Sequence, residues 1–156
     1  MKRFLLSLCA VILFAIAPAE SKLYRDANWV AAESEALDTQ HQAYSAAKES
    51  GHEAMANGDY VLASEFYIEA AENAIWSWTQ GWQLNNAAFA ILKSVNDEDG
   101  LSSAERADLE RALLIYEASL NASDYAKDAG ESLDEMAECE STVRVSGTAL
   151  LRTLGR

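Results

Sequence analysis

The sequence predicts an all-α domain of stacked antiparallel helical hairpins, on three observations. Beyond residue 19 the chain has no proline, and no stretch alternates apolar and polar residues as a strand would. Apolar residues recur at steps of three and four, which gathers them on one face of a helix. Short corners separate the runs, above all Asn57-Gly58-Asp59, and short corners make consecutive helices antiparallel neighbours.

The first nineteen residues stand apart. Met1-Lys2-Arg3 is a basic start, Phe4 to Ile16 an apolar run broken only by Ser7, and Ala17-Pro18-Ala19 a small-x-small cleavage site. The run is shorter than the roughly 20 residues a bilayer-spanning helix needs. It reads as a cleaved bacterial-type leader over 1–19, with a mature chain starting near Glu20 in the periplasm or outside the cell. Acylation at Cys9 does not fit, because Leu8 precedes it where a small residue is expected. The mature chain is of one-domain length: residues 20–145 form the helical domain, and 146–156 a weakly structured tail.

The formal net charge is −13, and loss of Lys2 and Arg3 deepens it to −15. So acidic a body repels nucleic acid and anionic headgroups, both of which are bound by neutralising phosphates with Lys and Arg. The expectation is no nucleic-acid partner and no stable membrane insertion after cleavage. Cys139 is the one cysteine beyond the leader, so no internal disulfide supports the fold. It is either a small buried hydrophobe or the link of a dimer.

Segment one runs from Asp26, its capping residue, to Asn57. Trp29, Ala32, Ala36, Ala43, Ala47 and Ala54 mark one face, and Asp38-Thr39 is a point where the segment could split in two. Gly51 costs about 1 kcal/mol against Ala inside a helix, which suits a place where another backbone approaches closely. Gly58 stops the helix and Asp59 caps the next. Segment two, Tyr60 to about Thr79, carries Tyr60, Ala63, Tyr67, Ala70, Ala74 and Trp78 on one side. Ser64, Glu65, Glu69 and Glu72 lie on the other. Gln80-Gly81 reads as a second corner, followed by segment three, Trp82 to Ser94, and a polar loop from Val95 to Gly100. Ser102 and Glu105 have capping-box spacing at the head of segment four, which carries Leu109, Ala112, Leu113, Tyr116 and Leu120. Ser123-Asp124 caps segment five, whose stripe is Tyr125, Ala129, Leu133, Met136 and Val143.

The run from Tyr44 to Trp78 resembles a tetratricopeptide repeat, a helical hairpin of about 34 residues with set small and aromatic positions. With Gly58-Asp59-Tyr60 on the inter-helix corner, Gly51 takes the glycine position of the family's first helix. Ala63, Tyr67 and Ala70 take the Ala, aromatic and Ala positions of its second. Ala47 stands where a large residue is usual. Leu84-Asn85-Asn86-Ala87-Ala88 and Ala112, Tyr116, Ser119 are similar to a second, degenerate repeat with a longer internal loop; neither unit has the family's closing proline. The resemblance implies a short α-solenoid with capping helices, since a lone hairpin leaves a face unburied. It also implies a concave groove lined by the first helix of each repeat, holding a partner peptide or helix. By register that groove carries Ser45, Lys48, His52 and Met55, then Trp82, Asn85, Asn86 and Phe89.

Lys48 and Asn86 match two positions of the carboxylate clamp some family members possess, but His52 replaces an expected Asn and the further basic pair is missing. Trp76, Trp78 and Trp82, with Tyr67 and Phe89, concentrate aromatic surface around one corner, either as packing or as a platform for sugars; Trp76 departs from the buried stripe. Asn96-Asp97-Glu98-Asp99-Gly100 fails as a calcium loop, since both ends of the shell would fall on non-ligands, Val95 and Arg106. His41 and His52 are too far apart on one helix to share a metal ion. Asn121-Ala122-Ser123 matches a glycosylation acceptor in a chain whose leader is bacterial in type. No nucleophile–base arrangement, zinc-protease motif or phosphate loop is present, and no acidic pair lies in an apolar surrounding. The expectation is therefore a non-enzymatic interaction module without cofactor or metal. Its alternatives are a binder of cell-wall glycan and a purely structural or dimerising helical bundle.

Overall fold

The computed structural model describes residues 27–95, 100–129 and 147–155. The leader at 1–19, the Asp26 cap, the acidic loop at 96–99, and Cys139 with the greater part of segment five lie outside the described residues. The chain divides into two units, Met1–Ala36 and Leu37–Arg156. Of the first, residues 27–36 are described and are helical. All further detail belongs to the second. The protein is all-α, with no strand among the described residues.

Helix α1 spans Ala27–Asn57 without interruption at Asp38-Thr39. Its end is a Schellman turn: Gly58 has φ 81°, the Asp59 amide donates to the Ala54 carbonyl (2.9 Å), and the Gly58 amide donates to the Met55 carbonyl (3.2 Å). Helix α2 spans Tyr60–Glu72, and Asp59 holds its N-cap position, yet the carboxylate makes no capping hydrogen bond. Ala63, Tyr67, Ala70 and Ala71 are buried along it. Ser64 is buried with them, contrary to its expected polar side; its hydroxyl donates to the Val61 carbonyl at 2.7 Å, which removes the cost of hiding it.

The second corner is not at Gln80-Gly81. It lies at residues 73–76, and helix α3 spans Ser77–Ser94. Side chains close this corner: Asn73 Nδ2 donates to the Glu69 carbonyl (2.9 Å), Gln80 Nε2 to the Ala71 carbonyl (3.4 Å) and Thr79 Oγ1 to the Trp76 carbonyl (2.7 Å). Gly81 sits instead inside α3, where a Cβ would stand 3.0 Å from both the Ser119 carbonyl oxygen and Ser123 Oγ. Its small size permits a close helix crossing.

Helix α4 spans Ser103–Ala129. The capping box at its start is formed: the Ser102 amide donates to the Glu105 carboxylate (2.8 Å), and the Glu105 amide to Ser102 Oγ (3.2 Å). Ser102→Ala is expected to cost about 1 kcal/mol in a urea melt, the usual worth of such a cap. No new cap forms at Ser123-Asp124. Ser123 Oγ donates back to the Ser119 carbonyl at 3.0 Å within the continuous helix, and Tyr125, expected on an apolar stripe, is exposed.

Helix α5, residues 147–153, occupies the stretch expected to be a weak tail. Leu150 and Leu154 are buried, and Gly147 lies directly against the Tyr116 ring. Two cores result. Ala54, Ala63, Tyr67, Ala87 and Ala90 join α1, α2 and α3. Ala88, Ile91, Leu109, Ala112, Leu150 and Leu154 join α3, α4 and α5. Residues on the two sides of a corner share a core, Ala54 with Ala63 in the first and Ile91 with Leu109 in the second.

Candidate functional site

Helix α3 is flanked on two sides, so one edge of it is left to solvent. Ala87 and Ala90 face the first core, and Ala88 and Ile91 the second. Trp82, Asn86, Phe89 and Lys93 recur at steps of three and four between those faces, and all four keep contact with water. Phe89 is 37% exposed, and the Lys93 ammonium lies over its ring, 5.4 Å from the centroid. Asn86 Nδ2 donates to Gln83 Oε1 at 3.4 Å.

Helix α1 lies beside this edge. Gln83 is buried, and its Nε2 donates to the Tyr44 hydroxyl at 3.2 Å, tying the two helices side by side. Ser45, Lys48 and Met55 are half-buried and His52 is exposed. The Lys48 ammonium stands over the Tyr44 ring at 5.8 Å, and His52 meets Tyr67 edge-on with ring centroids 5.7 Å apart. Each helix therefore carries an aromatic residue followed four positions later by a lysine over its face.

Of the eight residues expected in a groove, seven reach the surface. Asn85 does not: it is 1% exposed, and its Oδ1 has no hydrogen-bond partner among the described residues. One residue is about 100° of helical turn, enough to carry Asn85 from the edge occupied by Asn86 towards the packed side. Tyr44 and Lys93 belong to the edge as well, signalled only by the Tyr-x-x-x-Lys and Phe-x-x-x-Lys spacings, and the buried Gln83 ties α3 to α1 there.

Burial raises the pKa of Tyr67 above the usual phenol value, so the first core holds a neutral ring. Among the described residues no group of three His, Cys, Asp or Glu is placed to hold a metal ion, and no helix is long and apolar enough to cross a membrane. At the second corner Trp76 is 57% exposed, whereas Trp78 and Trp82 are half-buried. No protein-family model, curated protein or solved structure matches this chain.

Proposed function

We propose that this is an exported interaction module of tetratricopeptide type, taking a partner peptide or helix along the edge shared by α1 and α3. The observation that carries the reading is that edge itself: Met55, Trp82 and Phe89 offer apolar surface, while Lys48, Asn86 and Lys93 offer polar groups held by neighbouring side chains. Held side chains lose less freedom on binding, which favours rigid recognition. The repeat reading draws support from burial. Ala63, Tyr67 and Ala70 are buried, and in α4 Ala112 and Ser119 are buried with Tyr116 half-buried between them; each ring meets a glycine, Gly51 in one case and Gly147 in the other.

The test places a photo-crosslinking amino acid at Asn86 and exposes the protein to envelope extract. A defined adduct is expected, and Met55→Glu or Phe89→Glu is expected to weaken it about thirtyfold, the usual loss when an interface anchor is ruined. An adduct indifferent to both substitutions would dismiss the edge as a binding site. Exposed Trp76 supports a second reading, stacking on cell-wall glycan. In that case Trp76→Ala abolishes retention on peptidoglycan fragments and the two Glu variants do not.

A further inference from the structure

A second surface lies where the first corner meets the end of α3. Gly58, Asp59, Tyr60, Val61, Leu62, Glu65 and Ser94 line an open recess there. Its walls are mainly apolar. Val61 is 64% exposed and Leu62 43%, two consecutive branched aliphatic residues at the start of a helix, where polar side chains would cost nothing. The recess is built on the Schellman turn, so its floor is set by backbone hydrogen bonds.

Its charge has one sign. Asp59 and Glu65 are both exposed, and neither carboxylate has an ion-pair or hydrogen-bond partner among the described residues. Asp59 stands at the N-cap of α2 without capping it. The amino end of α2 contributes about half a positive charge, which two full negative charges exceed. Among the described residues no basic one lines the recess, and Lys93, next to Ser94, keeps its ammonium over Phe89. A second copy of this chain, at net charge −13, would bring like charge to like.

We infer that this recess docks a cationic amphipathic segment of another protein, with apolar side chains against Tyr60, Val61 and Leu62 and Lys or Arg reaching Asp59 and Glu65. The probe is a labelled helical peptide of leucine and lysine in amphipathic order, with a twin carrying glutamate for lysine. In fluorescence anisotropy the lysine peptide binds and the glutamate twin does not. Asp59→Asn with Glu65→Gln weakens binding about fivefold, as two exposed ion pairs imply, and Val61→Ser with Leu62→Ser about tenfold or more. Asp108→Asn with Glu117→Gln, an equal charge change on exposed α4 residues, leaves affinity unchanged. All variants sit on the surface, and unchanged thermal melts verify that they fold. Failure of the lysine peptide to bind overturns the inference. So does equal weakening by the α4 pair, which would mean attraction to overall charge alone. Sedimentation showing a dimer that Val61→Ser disperses would assign the recess to a second copy and overturn it as well.

Discussion

Leu150→Ala is expected to destabilise the protein by about 2–5 kcal/mol, the range for removing a buried leucine side chain and leaving a cavity. Leu150 is fully buried in the core that holds Ala88, Ile91, Leu109, Ala112 and Leu154. Three of those partners are on α3 or are alanines that cannot swing in to fill the space, so little collapse offsets the loss. A urea melt decides the matter: the midpoint should fall while the slope stays constant, because the surface exposed on unfolding is nearly the same. A change below about 0.5 kcal/mol, the usual effect at a surface site, would show that residues 147–153 do not complete the core.

Gly51→Ala should destabilise as well, by about 1–2 kcal/mol, and here the sign is informative. In an exposed helix interior the same exchange stabilises by about 1 kcal/mol. At Gly51 the new Cβ would lie 2.8 Å from both Cδ1 and Cε1 of Tyr67, a ring only 4% exposed and without room to retreat. Overpacking of this kind costs about 1–3 kcal/mol, which exceeds the gain in helix propensity. Tyr67→Leu in the Gly51→Ala background should recover part of the loss, so a double-mutant cycle should show coupling between the positions. A raised melting temperature for Gly51→Ala would contradict the tight contact.

Features controlled by neighbouring residues were readable from the sequence. The Gly58 turn, the Ser102–Glu105 box and the Ala63, Tyr67, Ala70 face each depend on groups within one or two helical turns. Features set by distant partners were not. Gly81 has the composition of a corner, but its smallness answers to Ser119 and Ser123, far along the chain. The true corner at 73–76 contains neither glycine nor proline, and depends on where the Asn73, Thr79 and Gln80 side chains turn. Gly51 is small for a neighbour's ring and not for a neighbour's backbone, a distinction only the packing reveals. Helix α5 is a short amphipathic run, and it is defined by the core that Leu150 and Leu154 enter. Within the candidate site, the lysine-over-aromatic pairs follow from four-residue spacing, whereas Asn85 and Asn86 differ only by rotation about the helix axis. Neither residue type nor local pattern distinguishes that rotation.

Helix α3 has a consequence for how the molecule comes apart. Because its Ala87 and Ala90 serve one core and its Ala88 and Ile91 the other, neither hairpin can be peeled away without baring the apolar flank of the one that stays. The two halves are thermodynamically bound together, and a lesion near either end is felt across the whole as a single concerted loss of structure. A peptide held along the proposed α1–α3 edge would therefore tighten both halves at once, since α3 belongs to both.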